Sequence, residues 1–233
     1  MKDKILSDSL KPSWSRLAQI SSKIPHRSVF RSLQYEQLFK LKFDGELLDI
    51  GGGEKVDYRN TLKCKSYSST NIDPNRLPTW RVEPNSNLEH LHGKFDHVLS
   101  MNTFEHVLDA ESLLSAASKT LRKGGLFVAS TPFLYPIHGS PDDFFRPTAS
   151  WWLEILSRNN FQEIEITPLI WGPFTTGAIC SGLVGPLKKL RMITFMILDL
   201  LYTHIKYGKN QNMKYQNGFY NFTLGYFVIA KKR

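Results

Sequence analysis

Only two cysteines, Cys64 and Cys180, occur in the 233 residues, far apart and in no metal-like spacing. That excludes a disulfide framework and suits a reducing compartment. Long hydrophobic runs are missing as well. The best candidate, MITFMIL and then LLY after Arg191, is interrupted by Asp199 and falls short of the roughly 18–20 residues a spanning helix needs. The opening MKDKILSDSLKPSW carries charges but no apolar core and no small-residue cleavage site, so no secretory signal is expected. There are no internal repeats. His, Cys, Asp and Glu show no metal-ligand spacing, and no metal is expected.

The charge balance is one-sided: 30 Lys and Arg against 21 Asp and Glu give a net +9. Such a balance favours an anionic partner, whether nucleic acid, a phosphorylated substrate or an acidic lipid surface. The lysines are scattered, however, and no basic stripe is interleaved with aromatics, which argues against nucleic acid. The length suits one core, that is, a single domain with an insertion.

Residues 1–44 read as an N-terminal helical cap, with Trp14, Leu17, Ile20 and then Phe30, Leu33, Leu38, Leu41 at helical spacing and Pro25 as a break. From residue 46 the period changes. Short apolar runs at 46–50, 67–72, 79–83, 95–101, 126–130, 161–170 and 222–230 read as seven strands. Asp109 can cap a helix through about Arg122, which Lys123-Gly124-Gly125 is expected to stop. Pro147-Thr148 precedes another helix holding Trp151 and Trp152. Strands alternating with helices imply a Rossmann-like α/β fold: a doubly wound, seven-stranded, mostly parallel sheet. Residues 171–221 carry no clean crossover pattern, so the last strand is expected antiparallel. The expected organisation is thus a core domain over 45–170 and 222–233, with 171–221 as an apolar and basic helical insertion.

In such a sheet the ligand sits beyond the C-terminal ends of the strands, which points to the loop after the first strand, LLDIGGGEK. The G-x-G-x-x-G pattern fails at Val56, and the phosphate-loop pattern fails at Lys55-Val56. What remains is Asp49-x-Gly51-x-Gly53, an acid in front of glycines. It would repel a pyrophosphate and welcome a cation, such as an ammonium or a sulfonium.

These residues resemble class I S-adenosylmethionine-dependent methyltransferases, of the type 11-like kind, over residues 46–131. LLDIGGGEK, Asp73 after the second strand, FDHVLSMNTFEHV (95–107) and LRKGGLFVASTP (121–132) match in order and spacing; the family's usual third glycine is Lys55 here. The resemblance implies S-adenosyl-L-methionine as cofactor. Asp49 would hold its methionine end, Gly51, Gly52 and Gly53 would allow close backbone approach, Asp73 would take the ribose hydroxyls, and Asn102 would join the cofactor set.

The loop TPFLYPIHGSPDDFFRPT (131–148) leaves the fifth strand beside the expected cofactor. It resembles the loop of bacterial polysaccharide and lipopolysaccharide methyltransferases, with the pattern H-x-x-P-x-D-x-x-R-x-T at His138, Pro141, Asp143, Arg146 and Thr148. A sugar hydroxyl must lose its proton around the moment of attack, and a histidine oriented by a carboxylate suits that task. His138 is the expected base, oriented by Asp142 or Asp143, with His106 as its rival. Arg146 can hold a phosphate or carboxylate bidentately, and Tyr135 and His106 belong to the expected substrate side. The expected function is O-methylation of a sugar or lipid-linked glycan in surface polysaccharide biosynthesis. Alternatives are methylation of a quinone, lipid or small metabolite, nucleic-acid binding, and an inactive scaffold. The segment 177–209, with Lys188, Lys189, Arg191, Lys206 and Lys209 beside apolar residues, suits either packing on the core or a second subunit, or peripheral contact with a membrane. The expected location is the cytoplasm, with contact at the inner face of the cytoplasmic membrane as the peripheral version.

Overall fold

A computed structural model describes residues 6–23, 27–83, 86–139, 141–207 and 219–233; Pro25 and Lys209 lie outside them. Seven strands form one sheet: β1 (Phe43–Ile50), β2 (Cys64–Asn71), β3 (Trp80–Arg81), β4 (Phe95–Met101), β5 (Leu121–Pro132), β6 (Phe161–Leu169) and β7 (Gly225–Lys232). Their order is β3-β2-β1-β4-β5-β7-β6. Neighbours from β3 to β5 are parallel, and β7 runs antiparallel to both β5 and β6. The antiparallel last strand is as the uneven spacing of 171–221 suggested.

Alternation along each strand sends successive side chains to opposite faces. Leu47, Leu99 and Val128 join one core, with Leu33, Trp171 and Met196. Leu48, Val98, Phe127 and Ala129 join the other, with Leu114 and Trp152. Both faces are covered, which is why β1 and β4 read as continuous apolar runs. On the first face lie α1 (Trp14–Ser21), α2 (Val29–Leu38) and α6 (Lys188–Tyr207); on the second lie α3 (Ala110–Thr120) and α4 (Ala149–Arg158). Each of α1 to α4 starts at a side-chain cap: Ser13, Ser28, Asp109 and Thr148 accept the N–H of Arg16, Arg31, Ser112 and Trp151.

Three expectations need correction. β1 begins at Phe43, inside the segment expected as the cap, because Phe43 donates its N–H to the Lys63 carbonyl and the Glu46 N–H meets Asp96 Oδ2 at 2.9 Å. No α-helix joins β1 to β2; a short 3-10 turn at Arg59–Thr61 does so, and the helices covering that face come from the N-terminus and from α6. Finally, Lys123-Gly124-Gly125 does not cap α3. The helix stops at Thr120, and these residues form an irregularity inside β5, where the register jumps from Phe95↔Leu121 to His97↔Leu126. Gly124, at φ +77°, supplies the left-handed residue such a bulge needs.

The insertion before β7 contains α5 (Pro173–Cys180) and α6. Asp199, the acid that breaks the apolar run, is buried and accepts the N–H groups of Phe174 at 2.9 Å and Thr175 at 2.7 Å, capping α5 from a distance. Gly172 leaves room for that carboxylate, since a Cβ there would lie 2.3 Å from it. Trp171 donates its indole N–H to the Met196 carbonyl. The inner face of α6 is therefore part of the core. Its outer face leaves Leu190, Leu198, Leu201 and Ile205 exposed.

Candidate active site

Strand order reverses between β1 and β4, and a cavity of about 740 Å³ opens at the C-terminal ends of these strands. Its floor is the turn after β1. Gly51 lines the cavity at φ +85°, a conformation that suits glycine, and a Cβ there would lie 2.1 Å from Thr103 Oγ1. Gly52 and Gly53 face protein instead: added Cβ atoms would strike the Asp49 carboxylate and the Arg76 carbonyl. The turn is held by Asn71, whose side-chain amide donates to the Gly51 and Gly52 carbonyls at 2.7 and 2.9 Å.

Beneath that turn lies Asp49, with no exposed surface. Its Oδ2 accepts the hydroxyls of Tyr58 and Tyr67, each at 2.8 Å, while its Oδ1 accepts no hydrogen bond. Burial pushes the Asp49 pKa up to about 7, although the two tyrosine hydroxyls favour the ion. A buried acid with a free oxygen under a glycine turn fits a ligand that brings a cation to the floor. Along the rim, Asp73 lines the cavity with Oδ1 taken by Asn75 and Oδ2 3.8 Å from Arg76. Beyond it Ile72, Val82, Leu88 and Leu113 make an apolar end suited to a flat base.

The N-terminal helices also shape the cavity. Arg31 and Tyr35 of α2 line it, and the Tyr35 hydroxyl donates to Asp57. Buried Gln34 exchanges two amide hydrogen bonds with Asn102, at 2.6 and 3.1 Å, and donates to Ser130 Oγ at 2.9 Å. Asn102 sits at φ +54° as β4 turns into the site. Asn102 lines the cavity, as a residue of the cofactor set would, while its side-chain amide pairs with Gln34 of α2.

At the opposite end the loop 131–148 folds over the turn Phe104–His106. His106 and His138 both line the cavity and meet edge to face, with ring centroids 5.1 Å apart. His138 donates its backbone N–H to Asp143 Oδ2 at 2.9 Å, and its Nδ1 lies 3.5 Å from the same oxygen and 3.2 Å from the Pro136 carbonyl. Both terminal nitrogens of Arg146 meet the Asp143 carboxylate and hold its pKa down to about 2. Arg146 therefore orients Asp143, and its guanidinium is engaged rather than extended toward a substrate anion. Of the two acids offered as partners for His138, Asp143 is beside it; Asp142 is exposed and presents its backbone carbonyl to His106 Nδ1. Tyr135 packs between Phe30 and His138 as a wall rather than a cavity-lining residue.

One residue in this cluster was not singled out from the sequence. Glu105 has no exposed surface, neither carboxylate oxygen has a hydrogen-bond partner, and burial raises its pKa to about 8. Its Oε1 lies 3.7 Å from His106 Nε2. Tyr58, Tyr67, Asn71 and Gln34 were also missed; nothing in their spacing marks them, since each reaches its partner through the fold.

A family model described as a methyltransferase domain matches residues 17–166. No curated protein matches the chain. Among solved structures, a chain of the complex between the Haloferax volcanii Trm112 methyltransferase activator and a methyltransferase has a TM-score of 0.55 at 14% identity, covering 93% of this chain and 94% of that one. A SAM-dependent methyltransferase from Archaeoglobus fulgidus has a TM-score of 0.53 at 15% identity, covering 94% and 100%. The chain spans 53% of the Haemonchus contortus phosphoethanolamine N-methyltransferase 2 it also matches, at a TM-score of 0.47 and 16% identity. With Gly51 and Asp73 lining one cavity, Asp49 buried beneath the same turn, and the family model spanning most of the sheet, the chain belongs to the methyltransferase-domain family and has the fold of its class I, S-adenosylmethionine-dependent members.

Proposed function

We propose that this protein transfers the methyl group of S-adenosyl-L-methionine to a hydroxyl of a sugar or lipid-linked glycan, as in bacterial surface polysaccharide biosynthesis. The observation that carries the cofactor assignment is the pairing of a buried acid with a free oxygen, Asp49 beneath the floor turn, with a rim acid, Asp73, that lines the cavity. The first suits the cationic methionine end and the second a vicinal diol. Gly52 leaves room for the Asp49 carboxylate, and Gly51 brings the backbone of the same turn to the cavity. In the transfer the acceptor oxygen attacks the methyl carbon in line, the C–S bond breaks, S-adenosylhomocysteine leaves, and the hydroxyl proton passes to a base.

His138 is that base in this reading. It lines the cavity, Asp143 and Pro136 fix it, and Arg146 fixes Asp143 in turn. The glycan acceptor rests on the likeness of loop 131–148 to polysaccharide methyltransferases. Peripheral membrane contact would bring the enzyme to lipid-linked acceptors. The exposed row Leu190, Leu198, Leu201 and Ile205 on α6, with Lys188, Lys189, Arg191 and Lys206 nearby, supports contact with an anionic surface. Among the described residues no helix is long and apolar enough to cross a membrane.

Isothermal titration of the whole chain with S-adenosylhomocysteine, beside Asp73→Ala, tests the cofactor. Micromolar binding that is lost in the variant supports the assignment, whereas no binding by folded wild type overturns it. Transfer of labelled methyl from S-adenosylmethionine to sugar nucleotides and polyprenyl-linked glycans, against quinone and lipid acceptors, tests the substrate class. A product formed only on the latter acceptors refutes the glycan reading.

A further inference from the structure

We infer that Glu105, His106 and His138 form a binding site for a divalent transition-metal cation at the acceptor end of the cavity. One ligand atom from each of the three lies within 4.8 Å of the others. Glu105 supplies a fully buried carboxylate whose two oxygens accept no hydrogen bond, a costly arrangement without an electropositive partner. Each histidine turns Nδ1 toward a backbone carbonyl: His106 to Asp142, and His138 to Pro136. In a neutral imidazole a nitrogen facing a carbonyl carries the proton, so the Nε2 lone pair is the one left free on both rings. Fixing a ligating histidine through its other nitrogen is the usual arrangement around a bound metal.

Two imidazoles and one carboxylate suit cations of the manganese-to-zinc series better than magnesium or calcium, which favour oxygen-rich shells. Three protein ligands leave coordination positions open, and since His106 and His138 both line the cavity, those positions face it. Asp143 lies behind His138 as a further acid, already tied to Arg146. Nothing in the sequence spacing announces such a site, because His138 is brought in from a loop beyond the next strand.

The role of the ion rests on the methyl-transfer reading, although its binding does not: it would hold an acceptor oxygen near the transferred methyl group. With the ion bound, His138 would serve as a ligand, the cation would acidify the acceptor hydroxyl it holds and the proton would pass to solvent, so the base role of His138 belongs to the metal-free enzyme.

The test is equilibrium dialysis of the untagged, chelator-treated chain against zinc and manganese chloride, with metal counted by mass spectrometry. The inference expects about one equivalent per chain at micromolar affinity, lost in Glu105→Gln and in His138→Ala. His138 has a partly exposed side chain, so its truncation opens no closed cavity. Cobalt substitution should give visible d–d bands that disappear in the same variants. Substoichiometric binding by wild type, or full binding retained by both variants, overturns it. S-adenosylhomocysteine titration of the same samples separates the two readings. Cofactor binding without metal sinks this inference alone, and metal without cofactor sinks the cofactor assignment alone.

Discussion

Replacing Asp49 with asparagine should stabilise the protein at alkaline pH while weakening its ligand. Folding takes this carboxyl from an ordinary value of 3.8 to about 7, equivalent to about 4 kcal/mol against the ionised form at about 1.4 kcal/mol per decade. The sign follows from proton linkage: folded Asp49 holds its proton more tightly than the unfolded chain does. Its contribution is therefore most favourable at low pH, falls as pH rises from about 4 to about 7, and is constant above that. Between pH 5 and pH 8 the wild type should lose about 3 kcal/mol from this residue alone. Asparagine keeps an oxygen for the hydroxyls of Tyr58 and Tyr67 but does not titrate. Urea unfolding of both proteins at pH 5 and pH 8 isolates the term, because other titrating groups cancel in the difference. The variant should gain about 3 kcal/mol on wild type across that interval, and its affinity for S-adenosylhomocysteine at pH 8 should fall at least several-fold. A stability difference that does not change with pH would refute the reasoning.

Other perturbations test other parts of the structure. Gly51→Ala combines a left-handed φ with a Cβ 2.1 Å from Thr103 Oγ1; it should cost about 1–3 kcal/mol in urea unfolding and abolish cofactor titration. Asp199→Ala removes the acceptor for the N–H groups of Phe174 and Thr175, for an expected loss of about 1–3 kcal/mol in the same assay, with cofactor affinity unchanged. Wild type should sediment with phosphatidylglycerol vesicles at low salt and be released at high salt. The triple change Leu198→Ser, Leu201→Ser, Ile205→Ser should abolish sedimentation without lowering the melting temperature by more than a few degrees, since these side chains are 39%, 48% and 82% exposed. Wild type remaining in the supernatant would remove the membrane contact.

Legibility in the sequence followed the range of the interaction. β1, β4 and β5 were readable because both faces of a covered parallel strand are apolar, so the signal is local. An acid beside His138 was readable because both lie within one loop, whereas Arg146, expected on a substrate anion, is instead paired with Asp143. Choosing Asp143 over Asp142 was not readable, since it depends on which way the backbone turns, and the same turn points the Asp142 carbonyl at His106. Lys123-Gly124-Gly125 was misread because a helix C-cap and a β-bulge both draw on glycine at positive φ. The missing helix between β1 and β2 has a physical reason too. Tyr58 from that segment and Tyr67 from β2 close over Asp49, so the segment serves the carboxylate rather than packing as an amphipathic face.

Glu105 was hidden for the opposite reason. Composition places glutamate on surfaces, and only the assembled fold removes it from water. It shares this with Asp49, the other acid buried at the C-terminal end of adjacent strands β1 and β4. Each keeps at least one oxygen without a hydrogen bond and is shifted toward the neutral form by burial. Elsewhere the chain satisfies its buried acid: Asp199 caps α5 through both oxygens. That contrast is the strongest physical reason to place the chemistry here. A fold that can cap Asp199 fully, yet leaves Asp49 beneath the floor turn and Glu105 beside His106 short of partners, holds its uncompensated acids one layer behind residues that line one cavity.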